Sequence, residues 1–144
     1  MRVQFTRLRS TAIMPTYATP GSAAFDLSAA ESITVQPGGQ GVVPTGLVIR
    51  LPEQHVLHIF ARSSTFGKLG LLLSNGVGVI DADYCGPQDE IFIMVYNPGT
   101  AAVTICAGQR IAQGIIYPCP RISFEEGASN DGPSRGGLGS TGDY

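Results

Sequence analysis

At 144 residues the chain has room for one domain with its own core but not for two, so a functional site must be built on one fold or shared between copies of it. Charged residues make up only 14% of the chain against 43% apolar ones, a thin charged coat that points to surface covered by an oligomeric partner; the net charge of −2 excludes the basic footprint with which polynucleotide binders neutralise phosphates. The three cysteines, Cys85, Cys106 and Cys119, are odd in number and lack metal-ligand spacing, so neither a disulfide framework nor a zinc centre is supported.

The N-terminal "MRVQFTRLRSTAIM" interrupts its apolar residues with arginines. It has neither a signal-peptide core nor the run of about twenty apolar residues that spans a bilayer, so a soluble, intracellular, cytoplasmic protein without membrane contact is expected. In chain order, β-rich runs follow at 3–8 (VQFTRL), 46–51 (GLVIRL), 55–60 (HVLHIF), 91–97 (IFIMVYN) and 110–117 (RIAQGIIY). Between them sit turn signals, TPGS, QPGG, LPEQ and NPGT, where proline presets φ and glycine accepts positive φ. The best helical window, TFGKLGLLLSN, is interrupted twice by glycine, so at most one short helix or turn is expected there. Many short, closely spaced strands indicate an all-β fold: a sandwich, jelly roll or small barrel. The last eighteen residues, GASNDGPSRGGLGSTGDY, include six glycines and few apolar groups. Burial of that segment alone cannot offset an ordering entropy of about 1–2 kcal/mol per residue, so we expect a β domain over 1–126 and a flexible Gly-rich tail over 127–144.

Four segments carry candidate chemistry. In the tail, Arg135 among glycines, followed by Ser140 and Thr141, supplies a bidentate cation, hydroxyls and unobstructed backbone N–H groups suited to phosphate; a plain linker would have the same composition. "ARSS" at 61–64 places an arginine and two hydroxyls at a strand end, again suited to phosphate oxygens, with a salt bridge and a turn as the alternative. Asp26, in "AAFDLSAA", is a lone carboxylate among apolar neighbours and requires a partner, an arginine or a metal-bound water. "GVIDADYCG" ends an oily strand on two carboxylates and a phenol. A carboxylate ionised at neutral pH accepts a proton from a well-positioned water, which Asp81 could do, whereas Asp81 and Asp83 as turn formers is the plainer alternative. His55 and His58 lie on a strand without a serine or acid in triad relation and read as structural.

Taken together and in order, these segments resemble the trimeric dUTP pyrophosphatase (dUTPase) family: "AAFDLSAA", "ARSS", "NGVGVIDADY", "GQRIAQ" and "RGGLGSTG" are similar to its five motifs. The resemblance implies a distorted β jelly roll in a homotrimer with shared active sites. It implies hydrolysis of dUTP to dUMP and pyrophosphate, limiting uracil in DNA and supplying dUMP for thymidylate synthesis. By similarity, Asp81 would activate the water that attacks the α-phosphorus, and Gln113 would help to position it. Arg62, Ser63 and Ser64 would hold phosphate oxygens. Mg²⁺ would be carried by the triphosphate and waters, with Asp26 reaching it through water. With residues 78–80 as one arm of a β hairpin, Asn75 and the backbone of Gly78, Val79 and Ile80 would face uracil, and Tyr84 would stack on the sugar where a 2′-hydroxyl would clash. Arg135, Gly139, Ser140 and Thr141 would close over the γ-phosphate end, while Leu138 stands where the family usually has a uracil-covering phenylalanine. Arg135 is closer to that position than is common, and "PQD", 87–89, reads against the family pattern as an insertion after Gly86 that makes a longer hairpin turn at the rim of the site.

Two rival readings remain. A dCTP deaminase would share the fold and an R-S-S segment, but the glutamate its chemistry needs aligns with Met94, which cannot shuttle protons. A non-catalytic nucleotide-binding module on the same fold is the other.

Overall fold

The computed structural model describes residues 1–128 and 132–137. In chain order the elements are β1 (Gln4–Arg7), β2 (Thr16–Tyr17), β3 (Phe25–Ser28), β4 (Ile33–Val35), β5 (Gln40–Pro44), β6 (Leu47–Arg50), β7 (His55–Ala61), α1 (Thr65–Leu69), β8 (Leu72–Leu73), β9 (Gly78–Ile80), β10 (Phe92–Tyr96), β11 (Val103–Ile105) and β12 (Arg110–Pro118). All five runs expected as strands are strands, and the single short helix falls where glycine interrupts the helical window. Gly70 takes φ +66° and ends the helix, its N–H donating to the Phe66 carbonyl.

The strands pair antiparallel in four sheets, ordered β1-β6, β5-β10-β8, β11-β4 and β2-β3-β12-β7-β9, the layered all-β arrangement of a distorted jelly roll. The centre of the largest sheet is β7 against β12, in register from Ala112 opposite Ala61 to Pro118 opposite His55. Both strands are rich in β-branched residues, and their inward side chains Leu57, Ile59, Ile111 and Ala112 are fully buried with Leu27, Leu47, Ile93 and Ile105. Gly114 sits in the middle of β12 because a Cβ there would come within 2.6 Å of the Phe25 ring and 2.9 Å of Leu57.

The hairpin expected to have residues 78–80 as one arm is not formed, since β9 pairs only with β7 and β10 lies in another sheet. β8 pairs with β10 in one sheet and β9 pairs with β7 in another, so the turn at 74–77 crosses between sheets rather than joining two arms of one ribbon. Pairing partners decide this: β7 offers a free edge to Gly78–Ile80, and Gly78 packs closely against Ile59. Residues 87–89, expected as a longer hairpin turn, form a turn closed by the Gly86 N–H donating to Asp89 Oδ2 at 2.6 Å, but it joins strands of different sheets rather than the arms of a hairpin. β12 ends at Pro118, and residues 119–128 carry no helix or strand.

Candidate active site

Asp26 has the partner its burial demands. Its side chain is only 10% exposed; Arg62 Nε donates to Oδ1 at 2.7 Å and Arg110 Nη1 donates to Oδ2 at 2.9 Å. A carboxylate held by two arginines leaves the cluster with net positive charge. Because Arg62 engages it through Nε, both of its terminal nitrogens remain for another anion. The register of β12 brings this about. Gln113 lies opposite Asp26 and Arg110 opposite Ser28, although a separation of three along a regular strand would put them on opposite faces. The register shift between Arg110 and Ala112 adds one residue and turns Arg110 to the Asp26 side.

Arg62, Ser64, Lys68, Gln109 and Arg110 line a cleft of about 230 Å³. Thr65 fixes the turn that presents them: its hydroxyl accepts the Arg62 N–H at 3.1 Å and donates to the Ile111 carbonyl at 3.1 Å. Ser64 stands at the N-cap of α1 without a side-chain capping bond, which keeps its hydroxyl for a ligand; Ser63 is exposed beside it. Gln113 donates its amide to the Ala61 carbonyl at 2.9 Å. Three cations, hydroxyls and amides make this cleft suited to phosphate oxygens.

Asp81 lies at the other end of β7. After Ile80 the chain leaves the sheet through a turn in which the Tyr84 N–H donates to the Asp81 carbonyl at 3.2 Å and the Cys85 N–H to the Asp83 carbonyl at 2.9 Å. Asp81 is exposed and lines a groove of about 640 Å³ with Val79, Asp83, His55, His58 and Arg121. His58 packs edge-to-face against Tyr117 and Phe60 and shares a hydrogen bond with the Tyr117 hydroxyl. Tyr84 is partly exposed, and its hydroxyl donates to the Glu90 carbonyl at 3.0 Å.

Residues 10–142 match the sequence profile of the dUTPase family. The chain belongs to the dUTPase family. The deoxyuridine 5′-triphosphate nucleotidohydrolase of Hahella chejuensis is 43% identical over 141 residues, covering 94% of this chain and 91% of its own. The crystal structure of the Streptococcus mutans dUTPase is 35% identical, with a TM-score of 0.76 over 83% of this chain and 98% of that one. The dUTPase of Staphylococcus bacteriophage 80alpha, a G164S mutant with dUpNHpp, shares the fold at a TM-score of 0.87 and 23% identity over 98% of both chains.

Within one dUTPase chain the expected residues fall into two groups. Asp26, Arg62, Ser64 and Gln113 gather near the cationic cleft, whereas Val79 and Asp81 line the groove, with Gly78 and Ile80 on the same strand and Tyr84 in the turn that follows. Asn75 is exposed in the turn at 74–77. Ile80 sits opposite Leu57, so Asp81 comes level with Val56, six residues from Arg62 and about 20 Å away along the strand. Arg135 is exposed in a segment without helix or strand, and Leu138, Gly139, Ser140 and Thr141 lie outside the described residues. Two cations of the cleft, Arg110 and Lys68, were missed by sequence reasoning. Arg110 was within sight in "GQRIAQ", but only the bulge shows which way it faces. Among the described residues no three His, Cys, Asp or Glu side chains cluster as a metal cage. Asp26 is a lone carboxylate between arginines, a donor set that fits an ion carried in by phosphates and water and not one held by protein ligands.

Proposed function

We infer that this protein is a dUTP diphosphatase, hydrolysing dUTP to dUMP and pyrophosphate. The observation that carries the reading is the placement of Asp81: an exposed carboxylate on a hydrogen-bonded turn, at the edge of a groove large enough for a nucleoside and within reach of solvent. In this mechanism Asp81 accepts a proton from a water whose oxygen bonds to the α-phosphorus. The bond from that phosphorus to the α,β-bridging oxygen breaks, and pyrophosphate leaves with its electron pair. Gln113 helps to position the water or the phosphate. Arg62, Ser63 and Ser64 hold phosphate oxygens and stabilise the charge that builds on the leaving group, and Arg110 joins them in binding the phosphates. Mg²⁺ carried by the triphosphate would supply further charge neutralisation there, and Asp26 would be the residue to meet it through water.

Base and sugar are read on the Asp81 side. Asn75 and the backbone of Gly78, Val79 and Ile80 face uracil, and the Tyr84 ring lies on the deoxyribose. Arg135, Gly139, Ser140 and Thr141 would close over the γ-phosphate, and Leu138 would take the place of the phenylalanine that usually covers the uracil. The spacing of about 20 Å along one strand supports a shared site, because Asp81 and Arg62 of one chain sit in separate clefts at opposite ends of that strand. A homotrimer supplies the second group from a neighbouring copy. No helix among the described residues is long and apolar enough to cross a membrane. Work on a small free nucleotide is the ground on which we propose the cytoplasm as the enzyme's location.

The test is pyrophosphate release from dUTP, dCTP, dTTP and UTP measured side by side. We expect dUTP to be preferred by about 100-fold or more in kcat/KM, since a site built for one hydrogen-bonding pattern leaves polar groups unpaired with any other base. Equal rates for the four, or ammonia release from dCTP, would overturn the assignment.

A further inference from the structure

The ring of Tyr84 is fixed at both ends. Its backbone is held by the turn to Asp81, and its hydroxyl donates to the main-chain carbonyl of Glu90, six residues on, at 3.0 Å. That acceptor is itself immobilised. Glu90 is 5% exposed; its Oε1 accepts the Gly46 N–H at 2.7 Å, and its two oxygens accept from Arg9 Nε at 3.3 Å and Nη2 at 3.0 Å. Gly46 has φ +68°, and a Cβ there would come within 2.7 Å of Ala12, so the donor cannot shift easily. Arg9 is anchored in turn by Glu31, and the hydrogen bonds and charge of Glu90 push the Arg9 pKa up from its ordinary value. Between Tyr84 and Glu90 the inserted loop is closed on itself by the bond from Gly86 to Asp89.

We propose that the Tyr84 hydroxyl–Glu90 carbonyl tether is a determinant of sugar specificity, with Glu90 and Arg9 as positioning residues. The inference rests on the reading that the Tyr84 ring lies on the deoxyribose. A ring excludes a 2′-hydroxyl only if it cannot swing aside, and Tyr84 is 38% exposed, so packing alone leaves it room to move. The hydrogen bond removes that freedom, and the part-buried ion pair beneath it, with Glu90 buried and Arg9 at the surface, keeps the carbonyl in place.

The experiment measures kcat/KM for dUTP and for UTP in the parent protein, Tyr84→Phe and Tyr84→Ala. Phenylalanine keeps the ring and removes the tether; we expect the dUTP-to-UTP ratio to fall about fivefold to tenfold, the scale of one hydrogen bond, and to fall further with alanine. A phenylalanine variant whose ratio stays within about twofold of the parent, beside an alanine variant whose ratio collapses, overturns the tether and leaves the ring on the sugar. An unchanged ratio in both variants overturns the sugar-facing reading and the tether with it. Loss of folding would lower both rates together, so the ratio separates specificity from stability.

Discussion

Asp81 owes its exposure to the point at which β9 stops pairing: three residues match β7, and the fourth is carried out of the sheet by the turn that also holds Tyr84. Replacing it with asparagine keeps the shape and removes the base. We expect Asp81→Asn to lower kcat by about 100-fold or more while a non-hydrolysable dUTP analogue binds within a few-fold of the parent, checked by steady-state kinetics and calorimetry. Unaltered turnover would refute the role. Arg110 acts differently, because it faces Asp26 and the phosphate cleft and not the reacting water. Arg110→Gln should raise KM for dUTP about fivefold to tenfold with a smaller change in kcat, since Asp26 would lose one of its two cations and Arg62 would be drawn more tightly to it. An equal fall in kcat would argue against this. The contrast marks what single residues reveal in a sequence. Asp81 and Arg62 stand out by type and neighbours, whereas Arg110 needs a backbone irregularity that no local pattern announces. The Glu90 clamp is similarly silent, because its partners Arg9 and Gly46 are 81 and 44 positions away.

The elements legible from sequence were the β-rich runs that became β1, β6, β7, β10 and β12, and the oily strand before Asp81 that became β9. β3, β4, β5 and β11 were not, being three to five residues long and set among alanine, serine, threonine and glycine, where local preference is weak. They form because partners across the sheet supply what the segments lack. The separation of β8 from β9 has the same origin, as the pairing that prevails is with β10 and β7. Gly114 tests this level of organisation, since it lets the Phe25 ring and Leu57 meet over the middle of β12. Gly114→Ala should destabilise the fold by about 1–3 kcal/mol and lower the melting temperature by about 3–10 °C in a thermal scan. A melting point equal to the parent's would show that the sheet yields at that position.

For the whole molecule, the proposed function requires two clefts at opposite ends of β7 to serve one substrate. A shared site predicts complementation. Asp81→Asn and Arg62→Gln, each nearly inactive alone, should regain activity when co-assembled, because a site drawing Asp81 from one copy and Arg62 from another has about a half times a half, or a quarter, of its chances intact. Mixtures as inactive as the parts would place both groups in one chain's site. Removing residues 127–144 should preserve assembly by light scattering and lower kcat/KM about 100-fold, as loss of a positioning segment does; full activity in the truncate would remove the tail from the mechanism. The length of β7 has one more consequence. If neighbouring copies must complete each other, catalysis is a property of concentration as well as of sequence. On dilution below the dissociation constant of the assembly specific activity should fade while individual polypeptides keep their strands, and returning the sample to its original strength should bring the rate back without refolding.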